Sequence, residues 1–207
     1  MLNISSFTGG IASTNGYLFT TEAGDSVAVD APDGMAEWLE DQGVRLGHLF
    51  LTHQHFDHVQ DAGCIQKQHG CPVYAFSPYS KDLTLETLFA FATGTHLEVA
   101  PFQVTELLEG KSEIQAAGLT WRLQHIPGHS LDSIVFISEA HRQVFGGDVL
   151  FLDGVGRADF PGGSMKLLID GIENKLMTLP DSFQVYPGHG DPTTIGRERE
   201  ENPYLVE

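Results

Sequence analysis

Four apolar stretches of this 207-residue sequence each end in a turn that carries histidine or aspartate. Short apolar runs bounded by glycine and other turn residues predict β-strands. The strands, each with the side chains that follow it, are residues 48–52 with His53, His55, Asp57 and His58, residues 119–126 with His129, residues 144–145 with Asp148, and residues 183–186 with His189. Because loops at strand ends converge into clefts, we expect a fold that gathers these four turns around one site.

The segment 52–58, Thr-His-Gln-His-Phe-Asp-His, is the most specific of the four motifs. Histidines two residues apart in a tight turn can direct both imidazoles at one ion, and the next turn of chain directs Asp57 and His58 at a neighbouring point. In a chain of this His and Asp content, a chance match has odds on the order of 10⁻³. The motif therefore predicts two metal ions and disfavours a merely solvated polar turn.

The other three turns are weak signals when each is taken alone. A histidine after Pro-Gly, as at His129 and His189, is commonly a surface residue, and an aspartate after Gly-Gly, as at Asp148, commonly caps a turn. Taken with the first block, however, they supply enough nitrogen and oxygen donors for two coordination spheres. We therefore interpret all three as metal ligands.

Charge and composition exclude several classes of function. Lys and Arg number 11 against 28 Asp and Glu, so the formal charge of −17 makes a nucleic acid an unfavourable partner. No stretch of about 18 apolar residues and no secretory signal is recognisable, which predicts a protein of the cytoplasm with no membrane partner. Cys64 and Cys71 form no CxxC pair, and we expect two reduced thiols rather than a disulfide or a metal site.

The pattern of apolar and turn residues predicts one domain of mixed strands and helices over residues 1–207. The first thirty residues indicate an antiparallel opening, and helices are predicted at about 33–43, 57–68, 82–91, 164–180 and 195–202. Ser164 stands where the N-cap of its helix is expected. For residues 83–91, rich in Leu and Phe, two interpretations stay open, a core helix and a lid.

With these motifs the chain resembles the metallo-β-lactamase superfamily, and within it the short bacterial glyoxalase II-like hydrolases. The resemblance runs from the block at His53 to Thr-Ile-Gly-Arg-Glu at 194–198 and Asn-Pro-Tyr at 202–204. It implies an α+β fold, the αββα four-layer sandwich, with two divalent metals where strands end. Zinc is the expected metal, with iron or manganese as alternatives. Carried over by position, the first metal takes His53, His55 and His129, the second takes Asp57, His58 and His189, and Asp148 bridges the two.

Two metals of this kind favour hydrolysis, because they lower the pKa of a shared water and stabilise the oxygens of the transition state. We expect a metal-bridging hydroxide to attack a carbonyl carbon while Asp57 orients it and takes its proton. A thiolate leaving group, with a pKa of about 8.5, needs no strong general acid. The predicted substrate is therefore a small thioester such as S-lactoylglutathione.

Residues 146–151 and 154–163, Gly-Gly-Asp-Val-Leu-Phe and Gly-Val-Gly-Arg-Ala-Asp-Phe-Pro-Gly-Gly, suggest the glyoxalase II-like branch. A lysine that binds glutathione in glyoxalase II is replaced by Arg157. Arg157 either binds a substrate carboxylate through its planar fork or pairs internally with Asp159, and both interpretations stay open. Two glutathione-binding tyrosines of that enzyme correspond to Asp159 and Asp191, so the substrate contacts must differ.

Three other functions remain compatible with the motifs. Persulfide dioxygenases of the same superfamily bind one iron and carry a similar histidine block and Gly-Arg-x-Asp-Phe segment, here residues 156–160. Hydrolysis of a lactone or β-lactam at the same two-metal centre is another possibility. The third is a non-catalytic role in which the metals only tie strand ends together, although structural sites usually fill every coordination position.

Overall fold

The computed structural model describes residues 3–95 and 97–206, and the chain forms two compact units, Met1–Glu109 and Gly110–Glu207. Each unit contains one six-stranded sheet and its own helices. Both sheets mix antiparallel and parallel pairs and both units carry helices, so the predicted α+β class is confirmed. A single domain over residues 1–207 stays a prediction.

The sheet of the first unit has its strands in chain order, from β1 at one edge to β6 at the other. They are β1 (Asn3–Gly9), β2 (Thr14–Thr20), β3 (Ser26–Val29), β4 (His48–Phe50), β5 (Val73–Ala75) and β6 (Glu106–Leu107). The first three strands pair antiparallel, which confirms the predicted opening, and the later pairs are parallel. Gly24, with φ of 87°, makes the turn between β2 and β3 in a conformation that favours glycine.

Parallel neighbours need a crossover, and helices supply each one. In chain order these are α1 (Met35–Asp41) before β4, α2 (Phe56–Val59) and α3 (Ala62–His69) before β5, and α4 (Lys81–Thr84) and α5 (Glu86–Thr93) before β6. The core of this unit joins buried sheet and helix residues, among them Leu18, Ala28, Leu49, Val73, Met35, Leu39 and Ile65.

The prediction of one helix over residues 57–68 is wrong, because the chain forms two helices separated at residues 60–61. Tertiary hydrogen bonds explain the break. The backbone N–H of Asp61 donates to the carbonyl of Ala31 at 2.9 Å, and its Oδ2 accepts from the N–H of Ala36 at 2.9 Å. These bonds hold Asp61 against the start of α1 instead of within a continuous helix.

The predicted helix over residues 82–91 is likewise interrupted, at Leu85, whose φ of 56° lies in the left-handed region. In the helix that follows, some apolar residues pack against the core and others are exposed to solvent. Phe89 packs against the core of the first unit, whereas Phe91 is 90% exposed. The core interpretation therefore holds for Phe89, and Phe91 points to solvent.

The sheet of the second unit has the strand order β14-β13-β10-β9-β8-β7. Its strands are β7 (Glu113–Ala116), β8 (Leu119–His125), β9 (Ile134–Ser138), β10 (Gln143–Gly147), β13 (Gln184–Pro187) and β14 (Thr193–Thr194), while β11 (Leu150–Phe151) and β12 (Gly154–Val155) form a separate hairpin. All pairs are antiparallel except β10 with β13, where the register shifts between Phe145 and Gly147. That irregularity lies one residue before Asp148.

Helix α6 (Met165–Gly171) continues as a π-helix over Ile172–Leu176, and α7 (Ile195–Glu201) follows β14. The predicted N-cap is confirmed, since the Ser164 hydroxyl accepts a hydrogen bond from the N–H of Leu167 at 3.3 Å. Leu168, Ile172 and Leu176 are fully buried in the core of this unit. The strands that the sequence did not predict, β6, β11, β12 and β14, have two residues each, too few to show a period.

Both cysteines are free thiols, as predicted. Cys64 is exposed and Cys71 is buried, and burial raises the pKa of the Cys71 thiol to about 11. Among the described residues, no helix is both long enough and apolar enough to cross a bilayer.

Candidate metal centre

In the first unit, strand β4 ends at Phe50 and helix α2 begins at Phe56, so the histidine block occupies the connection and the first turn of the helix. His53, His55 and His58 are all buried. The ring centroid of His53 lies 4.6 Å from that of His55 and 4.1 Å from that of His58. The structure thus brings these three imidazoles together, as the spacing predicts.

A buried carboxylate, Asp30, orients two of these rings from the end of β3. Its oxygens accept hydrogen bonds from the Thr52 N–H at 2.8 Å, from the Thr52 hydroxyl at 2.8 and 3.0 Å, and from Nδ1–H of His58 at 2.8 Å. Because the Thr52 hydroxyl gives its proton to Asp30, its oxygen accepts from Nδ1–H of His53 at 3.1 Å. Both imidazoles therefore carry their proton on Nδ1 and keep the Nε2 lone pair for a metal.

Asp57 lies in the first turn of α2 with its side chain largely buried. Its Oδ2 is 3.5 Å from Nε2 of His58 and accepts a hydrogen bond from the Thr14 hydroxyl at 2.7 Å. Two ligands of a tetrahedral ion with bonds of about 2.0–2.1 Å lie about 3.4 Å apart. The separation between Asp57 and His58 therefore suits two ligands of one ion.

In the second unit, His129 follows β8 through the Pro127-Gly128 turn. Its Nδ1 is 2.8 Å from the backbone carbonyl of Arg157. A carbonyl can only accept, so this bond places the proton on Nδ1 and leaves Nε2 available as a ligand atom. That Nε2 atom lies 3.5 Å from Oδ2 of Asp148.

Asp148 lies directly after β10 and is buried. The same Oδ2 that is 3.5 Å from His129 is 3.4 Å from Nε2 of His189, which follows β13. The loop of His189 is tied to β10, because the N–H of Gly188 donates to the carbonyl of Gly147 at 2.9 Å. One carboxylate oxygen thus lies at ligand–ligand distance from imidazoles of two different loops.

In the second unit, the backbone at Gly156 passes close to Asp148 and His129. A Cβ atom at Gly156 would lie 2.0 Å from the carbonyl oxygen of Asp148 and 3.1 Å from Cβ of His129, so the chain can pass there only as glycine. This passage brings the carbonyl of Arg157 to the His129 ring.

The side chain of Arg157 turns to Asp159. Nε and Nη2 each donate to a different oxygen of that carboxylate at 2.6 Å, and the guanidinium carbon lies 4.3 Å from the centroid of the Phe160 ring. The hydrogen bonds from Arg157 lower the pKa of Asp159 to about 2. Both side chains are more than half exposed. The internal pair is therefore present, and a substrate contact through Arg157 stays a prediction.

All seven predicted ligands belong to groups of His and Asp side chains able to hold a metal ion: His53, His55, Asp57, His58, His129, Asp148 and His189. Their chemistry, imidazole nitrogen with carboxylate oxygen, suits zinc, iron and manganese alike.

The sequence analysis missed the residues that support these ligands, chiefly Asp30, Thr14, Thr52 and the carbonyl of Arg157. Asp30 had a recognisable signal, since it ends an apolar strand in the same manner as the ligands themselves. The other three had none.

Comparison with known proteins agrees with the family resemblance seen in the sequence. A family model described as the metallo-β-lactamase superfamily matches residues 20–189. The hydroxyacylglutathione hydrolase GloC of Haemophilus influenzae is 36% identical over 186 residues, 87% of this chain and 87% of GloC.

Two solved structures are similar over nearly their whole length. The crystal structure of BLEG-1 B3 metallo-β-lactamase matches with a TM-score of 0.87 and 29% identity, covering 99% of this chain and 100% of that chain. The structure of TTHA1623 in a di-iron-bound form matches with a TM-score of 0.82 and 33% identity, covering 97% of this chain and 100% of that chain.

Proposed function

The chain belongs to the metallo-β-lactamase superfamily and is a metal-dependent hydrolase, and from this premise we propose that it cleaves small thioesters such as S-lactoylglutathione. The number of donors carries the dinuclear part of the proposal, because seven His and Asp side chains belong to groups able to hold an ion, more than one four-coordinate ion takes. The likeness to GloC, a relative named for hydroxyacylglutathione hydrolysis, supports the substrate class.

We propose that the seven predicted ligands bind two divalent cations in one centre. Zinc is the expected metal, with iron or manganese as alternatives. The first metal would take His53, His55 and His129, the second would take Asp57, His58 and His189, and Asp148 would be shared. The Nδ1 hydrogen bonds of His53, His58 and His129 support this assignment, since each leaves Nε2 as the ligand atom.

Such a pair of cations, when bound, would supply an acidified water and stabilise negative charge on the carbonyl oxygen. The residues of the chain have the remaining tasks. Asp57 would orient the attacking water and accept its proton. Four of the imidazoles, those of His53, His55, His58 and His129, are buried, which limits the access of bulk solvent to them. A thiolate leaves without a strong general acid, so no further acid residue is required.

Arg157 is our candidate for binding a substrate carboxylate, and its pair with Asp159 would have to open for that purpose. The exposure of both side chains makes exchange of one carboxylate for another feasible. Because the chain has two free thiols, we also propose a reducing compartment, the cytoplasm, as its location.

The test is steady-state hydrolysis of S-lactoylglutathione, a few acyl-CoA thioesters and a lactone, on protein whose zinc, iron and manganese contents are measured. We expect two metals per chain, activity on the glutathione thioester, loss of activity after chelation and recovery on adding metal. If every thioester is inert, the proposed substrate class is wrong. One iron per chain with oxygen uptake on a persulfide would identify a dioxygenase instead.

A second candidate, β-lactam hydrolysis, is favoured by the similarity to BLEG-1. A chromogenic cephalosporin in the same assay separates the two functions. Turnover of the cephalosporin with no thioester cleavage would support this second candidate.

A further inference from the structure

Thr14, outside the proposed ligand set, contacts Asp57 directly. Thr14 is the first residue of β2, is fully buried, and donates its hydroxyl proton to Oδ2 of Asp57 at 2.7 Å. The two residues are 43 positions apart in the sequence, so the contact is a product of the tertiary fold. The distance is that of a strong hydroxyl–carboxylate hydrogen bond.

The oxygen that accepts this bond is also the one near His58. Asp57 Oδ2 lies 3.5 Å from Nε2 of His58, a separation that suits two ligands of one ion. A carboxylate offers about four lone-pair sites, so the hydroxyl bond leaves the same oxygen able to bind a cation. A neutral hydroxyl also adds no positive charge beside that cation, as a Lys or Arg donor would.

Thr14 is itself held in place by the hairpin. Its backbone pairs with Gly9 of β1, and Ser13 before it has a φ of 56°, which turns the chain into β2. The β-branched side chain is restricted in χ1, which limits the positions that its hydroxyl oxygen can take. Next to it, the Thr8 hydroxyl donates to Oδ1 of Asn15 at 2.8 Å, a similar bond that does not involve Asp57.

We infer that Thr14 is a positioning residue for Asp57, whose hydroxyl fixes the carboxylate in the orientation that binds the second metal and directs the attacking water. This inference rests on the proposed function in taking Asp57 as a metal ligand and as the residue that directs the attacking water. Thr14 itself contacts neither substrate nor metal in this role.

The experiment compares variants that differ at residue 14 by the hydroxyl alone: wild type with Thr14→Val, and Thr14→Ser with Thr14→Ala. Affinity for Zn²⁺ is measured by competition with a chromophoric chelator, and the thermal midpoint of the metal-free protein reports folding. Removing the hydroxyl is expected to weaken the second Zn²⁺ site by about tenfold or more in both pairs. Thr14→Ser should stay within about threefold of wild type, and so should the control Thr8→Val.

Kinetics on a cleaved substrate provide a second measurement. We expect Thr14→Val to lower kcat more than it changes KM, because the carboxylate acts on the reacting water and not on substrate binding. If Thr14→Val does not fold, the comparison of Thr14→Ser with Thr14→Ala decides the question. Wild-type Zn²⁺ affinity in both variants that lack the hydroxyl would overturn the inference, as would a wild-type protein that binds no second Zn²⁺. Weakened Zn²⁺ binding in a protein inert to all thioesters would instead support the inference and reject the proposed substrate.

Discussion

The two units present their candidate metal-binding side chains in opposite ways. The first unit offers four from one contiguous block, residues 53–58, at the end of a single strand. The second offers His129, Asp148 and His189 from three separate strand ends. The contiguous set needs only a local turn to assemble, whereas the scattered set needs a complete sheet in the correct register.

The support of the ligands differs in the same way. In the first unit, side chains orient the rings, with Asp30 bonded to His58 and, through Thr52, to His53. In the second unit, the backbone carbonyl of Arg157 orients His129, and its approach depends on Gly156. One physical requirement, a proton fixed on Nδ1, is thus met by side chains in one unit and by the main chain in the other. The two units should therefore be sensitive to different kinds of mutation.

The largest effect should follow from Asp148→Asn in the second unit. An amide is a weaker metal ligand than a carboxylate, and this oxygen is near two imidazoles at once. We expect the rate of hydrolysis to fall by more than the roughly 10–100-fold that is typical when a residue supporting a metal ligand is mutated. Metal content and steady-state rates measure it, with Asp170→Asn, a partly exposed carboxylate of α6 outside the site, as control. Full metal content in Asp148→Asn would contradict the bridging assignment.

The matching test in the first unit is Asp30→Asn. Asparagine tolerates the φ of 61° at this position, so the backbone should be retained. The amide removes the negative charge to which three donor groups bond, and we expect metal affinity to fall by about 10–100-fold. Chelator competition measures the change, and Asp25→Asn, at an exposed site, should leave it unaltered. Equal affinities in Asp30→Asn and wild type would show that the side-chain support is dispensable.

Gly156→Ala tests the main-chain support of the second unit. The added Cβ would meet the carbonyl oxygen of Asp148, so the loop must move away from His129. We expect a loss of stability of about 1–3 kcal/mol, typical of overpacking, and weaker metal binding by about tenfold. Gly154→Ala is the matched control, because its Cβ would have ordinary contacts of 3.7 Å or longer. Similar behaviour of the two variants would argue against a special role for Gly156.

The smallest effects are expected at Arg157 and Asp159, since Arg157→Ala leaves the carbonyl that supports His129. If Arg157 binds a substrate carboxylate, Arg157→Ala should raise KM about threefold and leave kcat little changed. Asp159→Ala should lower KM, because it releases the guanidinium. Unchanged KM in both variants would leave Arg157 with a structural role alone.

The same ion pair has a defined pH dependence. Its carboxyl has a pKa lowered to about 2, so the stabilisation is present above the ordinary value near 4 and is lost as the pH falls through about 2. The pair should therefore stay closed from about pH 5 to pH 8. An NMR titration of the Asp159 carboxyl carbon checks this, and a midpoint near 4 would contradict it.

Much of the site could be predicted because ligands follow strands and turns in a recognisable order. The histidine block, His129, Asp148 and His189 were all predicted from that order. The N-cap at Ser164 was predicted for the same kind of reason, since it is a local signal. Helix breaks at Asp61 and Leu85 were not, because tertiary hydrogen bonds cause the first and a left-handed residue inside a Leu-rich run marks the second.

The amino-acid sequence by itself determined which side chains are candidates to bind metal, the short strands that precede them and the net negative charge, because these depend on residue type and near-neighbour spacing. Only the tertiary structure decided how the ligands are held. The hydrogen bonds from His58 to Asp30, from Thr14 to Asp57 and from His129 to the Arg157 carbonyl join residues 28 or 43 positions apart. Local sequence does not predict such contacts, because they form only when the sheets have formed with their strands in register.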